Sequence, residues 1–456
     1  MEKTERARFI GLGVFLYGAL LAGAFVTLIY RRQGLIAPVV DLNGFGRISE
    51  NLATGKGFSL FGTPTVRRGP LYPFFGALLL ELFGASGRPP DVTFFRPLII
   101  ANCVIFGLTC VAVWRLADRL FSPRVALLAA LLCPLVPQSM RYVGMTEVET
   151  LMGLWTVLLA STGLTVVLHP NARSGLFFGL TVAAATLTKP IVMLYPFVLL
   201  PLAYLRWRRT KTPVKEWAGA CAVALATFAV LLVPWSIRNM EVTHGDFKGI
   251  SSNGPGEFLR GYVNAQPKYY LLRQNFGGSE PNTEKWDPEA NQYEDGLLRA
   301  HGLPFFRCGG MDGKYFCDPP IPDGVSVASL EVQKDKIESA EMKRRVLHDP
   351  LEFVGKFAVQ LVTFWYIVET RSKSLAVGAI AALTLVLAAL GARSASRAGV
   401  VVWPAVTVLA YMNAIYAAFL AFARYSMPLF PTLVVFAAGG LAWLYERFVV
   451  RASPPP

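Results

Sequence analysis

The sequence predicts an all-α polytopic membrane protein, a bundle of about ten or more transmembrane helices with polar loops and interfacial helices. Three observations predict it. Hydrophobic residues make up 54% of the 456 residues and charged residues only 16%, and the mean hydropathy is +0.44, above that of ordinary soluble domains. Several apolar runs reach the ~20 residues that cross a bilayer. The basic residues form short clusters between these runs, as the positive-inside rule describes.

The formal net charge of +14 raises the alternative of nucleic-acid binding. The bases are dispersed between apolar runs and do not form one patch, so they are explained as determinants of membrane topology. We therefore expect membrane lipids, and no nucleic acid, as partners. The clusters are Arg6/Arg8, Arg115/Arg119/Arg124, Arg206/Arg208/Arg209/Lys211, Arg393/Arg397 and Arg447/Arg451.

The first apolar run, Phe9–Tyr30, is too long for the apolar region of a cleavable signal and has no small-residue cleavage site. It is interpreted as a retained first helix with a cytoplasmic N-terminus. If the N-terminus is cytoplasmic and the chain crosses the membrane ten times, the C-terminus is cytoplasmic too. The basic clusters then fall on the cytoplasmic side, as the positive-inside rule expects. These spans are about 9–30, 95–117, 124–140, 147–168, 174–189, 190–205, 217–236, 374–391, 399–421 and 428–446.

Two further apolar stretches, 70–84 and 356–369, are short and are expected to be interfacial or re-entrant helices. Apolar spacing in SLEVQKDKIESAEMKRRVLHDP predicts an amphipathic helix over the membrane domain. The chain thus divides into an N-terminal transmembrane module, 1–236, whose first outer loop is 31–94, a large outer loop region, 237–350, and C-terminal interfacial and transmembrane helices, 351–456.

Two cysteines, Cys308 and Cys317, lie in the large polar loop, in RCGGMDGKYFC. If this loop lies outside the cytoplasm, a disulfide between them is expected. Zinc binding is less supported, because no histidine or third thiol is near.

Two acids lie beside predicted spans on the outer side. Asp41 opens the polar stretch DLNGFGRISENLATG, and a carboxylate held at a membrane surface can act as a general base. The alternative is a solvated loop residue. Glu147 stands at the outer start of the span 147–168, two residues before Glu149. A functional role for Glu147 is one interpretation, and a helix start in which Thr146 is the N-cap is the other.

Five basic positions lie on the same outer side, against the positive-inside trend. Each stands beside a proline or an aromatic residue, and together they indicate an anionic ligand at headgroup depth, best matched by a lipid phosphate. No glycine-rich nucleotide loop is present. The positions are Arg67 and Arg68 in RRGPLYP, Lys189 in TKP, Arg238 in PWSIRN and Arg424 in ARYSMP.

The four histidines share no metal-binding spacing with one another or with a carboxylate pair, and the first outer loop contains no DxD pair. The residues therefore call for no metal site, and the use of a divalent metal is left open.

The ordered motifs resemble the bacterial members of the GT-C superfamily of polytopic glycosyltransferases. The resemblance covers about residues 41–440. Its motifs are Asp41 with ISENLATGKGFSLFG, RRGPLYPFFGALLLELFG, RLADRLF, PxxxRYxxMTE, LTKP, VPWSIRN, HDPLEFVGKF and FARYSMPLFPTLV.

The resemblance implies a GT-C-type helix bundle that transfers a sugar from a polyprenyl-phosphate donor, with inversion, on the periplasmic side of a bacterial inner membrane. It implies Asp41 as the general base and Glu147 as a second acid. Donor-phosphate contacts are implied for Arg67 or Arg68, Lys189, Arg238, Arg424 and Tyr425. The acceptor is left open between a glycan, a lipid and a protein.

Two other classes of protein remain alternatives. A transporter or flippase for a lipid-linked glycan would bind phosphate through the same basic residues but would need no catalytic general base. An assembly subunit of an envelope complex would need neither the basic residues nor a general base. The five outer basic residues therefore make an assembly subunit the less attractive alternative.

Overall fold

A computed structural model of the chain describes residues 2–32, 43–84, 96–275, 288–304, 307–311, 314–318, 321 and 325–450. The chain is built mainly of α-helices. The first ten are α1 (Glu2–Arg32), α2 (Phe45–Ala53), α3 (Leu71–Leu82), α4 (Arg96–Leu120), α5 (Pro123–Leu132), α6 (Pro137–Met140), α7 (Glu149–Leu168), α8 (Ala172–Thr188), α9 (Tyr195–Arg209) and α10 (Val214–Val242).

The remaining helices are α11 (Gly254–Asn264), α12 (Pro267–Tyr270), α13 (Pro288–Ala300), α14 (Val327–His348), α15 (Pro350–Thr363), α16 (Arg371–Arg397), α17 (Trp403–Ala418), α18 (Ala423–Ser426) and α19 (Phe430–Tyr445). Two antiparallel hairpins accompany them. The strands are β1 (Ser59–Leu60) with β2 (Thr63–Pro64), and β3 (Arg307–Met311) with β4 (Lys314–Asp318).

Seven helical segments of the described residues are long and apolar enough to cross a membrane: Glu5–Ile29, Arg96–Leu120, Glu149–Leu168, Pro190–Arg209, Val214–Val242, Arg371–Arg397 and Ala423–Val449. The prediction of a polytopic helical membrane protein is therefore confirmed. The three other predicted spans also form helices, α5, α8 and α17, but each has fewer than 18 residues. The apolar stretch 70–84 forms α3, and the helix at the second short stretch, α15, begins earlier, at Pro350.

Small residues allow the long helices to approach closely. A Cβ atom at Gly440 would lie 2.0 Å from the carbonyl oxygen of Leu387, and one at Gly391 would lie 2.0 Å from that of Phe436. This glycine pair sets the contact between α16 and α19. Lipid offers no hydrophobic force between apolar helices, so close backbone packing of this kind supplies much of the attraction.

The first polar loop is fastened to the extramembrane helices. The Glu331 carboxylate on α14 accepts hydrogen bonds from the Thr65 hydroxyl at 2.7 Å and the Val66 amide at 2.8 Å. The amide of Val327, at the start of α14, donates to the Thr63 hydroxyl at 3.0 Å. The helix predicted in this segment is present as α14, and its start is tied to the β2 segment. Its buried positions include the acids Glu338 and Glu341, whereas the apolar Leu347 is 82% exposed.

Candidate functional site

A guanidinium fork joins two buried acids. Arg424, on α18, donates through Nε to Glu149 Oε1 at 2.7 Å and through Nη2 to Glu147 Oε2 at 2.8 Å. Glu147 is 0% exposed and Glu149 is 3% exposed. α7 begins at Glu149, after Val148, which makes no capping hydrogen bond. Thr146 is therefore not the N-cap, and both acids belong to the charge cluster.

Lys189 approaches the same cluster from the turn after α8. Its Nζ lies 3.6 Å from Glu149 Oε1 and 4.5 Å from the centre of the Tyr425 ring. The Tyr425 ring stacks on that of Tyr416, with centroids 4.7 Å apart and an angle of 8° between the planes. The ammonium group of Lys189 thus lies beside two stacked tyrosine rings, and cation–π attraction favours this contact.

Asn43 connects Glu147 to the first polar loop. Its amide nitrogen donates to Glu147 Oε1 at 3.2 Å and its Nδ2 to Glu147 Oε2 at 2.9 Å. Asn43 in turn accepts two bonds from Arg68, Nε to its carbonyl oxygen at 3.0 Å and Nη2 to Oδ1 at 2.8 Å. The side chain of Arg68 also lies 5.5 Å from the centre of the Phe45 ring. Arg68 is thereby linked to the acid pair through one intervening residue.

A glycine brings this loop next to Lys189. A Cβ atom at Gly69 would lie 2.4 Å from the Leu187 carbonyl oxygen and 2.9 Å from that of Thr188. A side chain at position 69 is therefore excluded by the backbone at the end of α8. The motif RRGP thus packs on the motif LTKP, which places the loop that carries Arg68 against the turn that carries Lys189.

The cluster carries an excess of positive charge. Arg68, Lys189 and Arg424 are basic and Glu147 and Glu149 are acidic, so these five side chains have a net formal charge of +1. Charges interact more strongly where burial lowers the dielectric constant. An anion at this position would therefore be attracted by the cluster.

Arg67 and Arg238 form a second group, which supports the loop. Arg238 Nη1 donates to the Thr65 carbonyl oxygen at 2.7 Å, and its Nη2 donates to that of Phe58 at 3.0 Å. Arg67 Nε donates to Asn253 Oδ1 at 3.2 Å. These contacts hold the backbone of the loop from two sides.

The structure thus brings together Arg68, Glu147, Lys189, Arg424 and Tyr425 of the predicted site residues. Asp41 lies outside the described residues.

The backbone register of the second hairpin pairs Cys308 with Cys317, directly opposite one another in β3 and β4. Within the described part of the chain, no group of three or more His, Cys, Asp or Glu side chains is placed to bind a metal ion.

Sequence reasoning missed three members of the cluster. Glu149 follows Glu147 in TEVE, where its place at the start of a predicted span favours a helix-start role. Asn43 and Tyr416 carried no signal, because an asparagine in a polar loop and a tyrosine in an apolar helix are common in other roles.

A family model matches part of the chain. The model described as dolichyl-phosphate-mannose-protein mannosyltransferase matches residues 67–235. This segment contains Arg68, Glu147, Glu149 and Lys189, and it ends before Arg424. No curated protein sequence matches the chain significantly.

Solved structures share the fold. The chain is similar to the archaeal oligosaccharyltransferase AglB from Archaeoglobus fulgidus, in a complex with an inhibitory peptide and a dolichol-phosphate. That match has 14% identity and a TM-score of 0.53, and it covers 98% of this chain and 53% of AglB. A second AglB structure, a complex with Zn and sulfate, matches with 14% identity, a TM-score of 0.50 and coverage of 96% and 50%.

ArnT from Cupriavidus metallidurans, bound to undecaprenyl phosphate, matches with 13% identity and a TM-score of 0.36, over 100% of this chain and 81% of ArnT. The chain spans about half the length of the AglB structures it matches. The resemblance to GT-C glycosyltransferases is confirmed by the family model and by the AglB fold.

Proposed function

We propose that this protein is an inverting glycosyltransferase that moves a sugar from a polyprenyl-phosphate donor to an acceptor at the membrane surface. The buried cluster of Glu147, Glu149, Arg424 and Lys189, tied through Asn43 to Arg68, carries this proposal. Its excess positive charge suits a phosphate monoester. The family-model match and the AglB fold support the same class of enzyme.

The chemistry needs two functions from the protein. A new bond forms between the acceptor oxygen or nitrogen and the anomeric carbon, while the bond from that carbon to the phosphate oxygen breaks. The acceptor proton passes to a carboxylate, and the phosphate leaves with the bonding electron pair. A general base and preorganised positive charge are therefore both required.

We assign the general base to Asp41, which stands two residues before Asn43 in the sequence. Arg68 and Lys189 are the bases that we assign to the departing phosphate. Arg424 already bonds two carboxylates, so its role in this proposal is to hold Glu147 and Glu149 in place. Arg67 and Arg238 are assigned to the support of the loop.

We further propose that the reaction takes place on the periplasmic side of a bacterial inner membrane, with a glycan, lipid or protein acceptor. The donor would reach the site from the bilayer. The three-part division at residues 236 and 350 belongs to this proposal, in which the large loop region covers the site.

The test measures transfer of labelled sugar from a panel of undecaprenyl-phosphate-linked sugars to an envelope extract. Purified wild type and Asp41→Asn protein are compared. A general base contributes about 10²- to 10⁴-fold, so the variant should lose that much transfer while it still binds undecaprenyl phosphate. Asp118→Asn, at an exposed position of α4, is the matched control and should keep full activity.

Retained transfer by Asp41→Asn would contradict the assignment of the base. Wild-type protein that moves the lipid across vesicles without transferring any sugar would instead show a flippase and overturn the proposed function.

A further inference from the structure

A small cavity lies behind the acid pair, between α4, α6, α7 and the turn that leads into α19. The space available to the centre of a water molecule is about 10 Å³, which is about the minimum for one bound water. The residues that line the cavity are Phe106, Thr109, Gln138, Ser139, Tyr142, Glu149, Thr150, Gly153, Met427, Pro428 and Pro431.

Four side-chain oxygens of these lining residues are buried without a hydrogen-bond partner: Gln138 Oε1, Ser139 Oγ, Glu149 Oε2 and Thr150 Oγ1. Gln138 is 4% exposed, Glu149 3% and Thr150 6%. A buried polar atom without a hydrogen-bond partner destabilises the folded state. Four such atoms around one cavity therefore indicate a common ligand.

The donor and acceptor capacities of the four groups define that ligand. Gln138 Oε1 and Glu149 Oε2 can only accept, whereas the hydroxyls of Ser139 and Thr150 can each donate. A molecule that donates two hydrogen bonds and accepts two would satisfy all four atoms. Among small ligands, water has this capacity and the size of the cavity.

We propose that the cavity binds one structural water molecule, which donates to Gln138 and Glu149 and accepts from Ser139 and Thr150. The water would hold Glu149 from the side opposite its cationic partners, since Arg424 and Lys189 both contact Oε1. It is a positioning element for the acid pair. This inference stands whether or not the protein is a glycosyltransferase.

A small cation such as Na⁺ is the competing ligand, because all four atoms are oxygens. The neighbouring cluster already has a net formal charge of +1, and a cation would raise it. Water is therefore favoured over Na⁺ by charge.

The test is X-ray hydroxyl-radical footprinting of the full-length protein in nanodiscs. Irradiation creates radicals from bound water at its own position, so a thioether beside that water is oxidised to the sulfoxide. Met427 lines the cavity and is 7% exposed, and Met140 does not line it and is 8% exposed. We expect Met427 to be oxidised several-fold faster than Met140. Equal rates in the wild-type protein would overturn the proposal.

Matched variants identify the water by its partners. Thr150→Val removes one partner hydroxyl and should lower the oxidation of Met427 to the rate of Met140. Thr109→Val is the control, because Thr109 lines the same cavity but already donates to the Ile105 carbonyl oxygen at 2.8 Å. Ser139→Ala is a second test variant if Thr150→Val does not fold.

Equal effects of Thr150→Val and Thr109→Val would contradict the proposed partners. Replacement of NaCl by choline chloride at constant ionic strength tests the cation. A melting temperature that rises with Na⁺ in the wild type, but not in Thr150→Val, would show that the cavity binds a cation. That result would overturn the proposal of a bound water molecule.

Discussion

Arg424 joins two acids that precede it in the chain by 277 and 275 residues. Its planar fork offers two donors in fixed directions, and each reaches a different carboxylate. A lysine has one charged nitrogen and no fixed fork, so it cannot reproduce this geometry. The arrangement of the acid pair therefore depends on the guanidinium group as well as on its charge.

Arg424→Lys should lower the proposed transferase activity about 10- to 100-fold, because one hydrogen bond to a charged group contributes about 1.5–3 kcal/mol. Initial rates at saturating donor check this. Arg447→Lys, at an exposed position near the C-terminal end of the last span, is the control and should leave the rate unchanged. An Arg424→Lys enzyme with wild-type rates would mean that charge alone is sufficient.

Residue types at the site were predictable from the sequence, but their division of labour was not. RRGP, LTKP and ARYSMP each indicate a site, because a basic residue stands beside a proline or an aromatic residue. The sequence predicts one common role for the five outer basic residues, contact with a lipid phosphate. The structure links Arg68, Lys189 and Arg424 to the acid pair, directly or through Asn43. Arg67 and Arg238 instead donate to Asn253 and to backbone carbonyl oxygens of the first polar loop.

At the scale of elements, the contact between α16 and α19 depends on glycine. Gly440→Ala should destabilise the protein by about 1–3 kcal/mol, since its Cβ would lie 2.0 Å from the Leu387 carbonyl oxygen. Thermal unfolding in detergent measures the effect. Gly219→Ala in α10 is the control, because a Cβ there meets no atom within 4 Å. It should be neutral or slightly stabilising, and equal losses in both variants would contradict the packing explanation.

The contact of α14 with α11 and α13 contains a buried acid. Glu338 on α14 is 2% exposed, and a Cβ atom at Gly256 on α11 would lie 2.9 Å from its Oε2. Burial raises the pKa of Glu338 to about 8, and the Glu294 carboxylate adds to this rise, whereas Lys334 and Arg260 oppose it. The folded state therefore holds Glu338 in its protonated form at neutral pH.

The stabilising effect of that proton depends on pH. It is fully present below the ordinary pKa of a glutamate, 4.5, and it is lost as the pH rises from there to about 8. Glu338→Gln removes the titration, so the variant should gain melting temperature relative to the wild type as the pH rises from 5 to 8.5. Glu81→Gln, exposed at the end of α3, should show no such trend. A constant difference between Glu338→Gln and the wild type would refute the titration.

At the scale of the whole molecule, α10 separates two surfaces. Its 29 residues correspond to about 43 Å of helix, more than the ~30 Å hydrocarbon core. We therefore expect the segment after α9 and the large loop region to lie on opposite sides of the membrane. The bases of the first segment predict that it is the cytoplasmic one.

Single cysteines and a membrane-impermeant maleimide test this sidedness in intact cells. Ala340→Cys, exposed on α14, should react from outside, whereas Arg209→Cys, exposed at the end of α9, should react only after permeabilisation. Parallel labelling without the new cysteines corrects for Cys308 and Cys317. The reverse pattern would invert the proposed topology.

The sequence by itself determined the class of fold and most of the helix positions, because an apolar run of ~20 residues has few stable states other than a membrane span. It did not determine where helices end at prolines: α5 gives way to a 3₁₀ turn that contains Pro134, so the run 124–140 is not one helix. Proline cannot continue the hydrogen bonding of a helix interior, but the sequence does not say how the following turn is closed.

Only the tertiary structure decided which polar residues meet. Asn43, Glu147 and Arg424 lie far apart in the chain, and no local pattern records their hydrogen bonds. Gly69 shows the physical reason, because its close approach to the Leu187 carbonyl oxygen brings the loop that carries Arg68 against the end of α8. The sequence shows the residue types of the site. The cluster that they form arises from backbone contacts between segments that are distant in the chain.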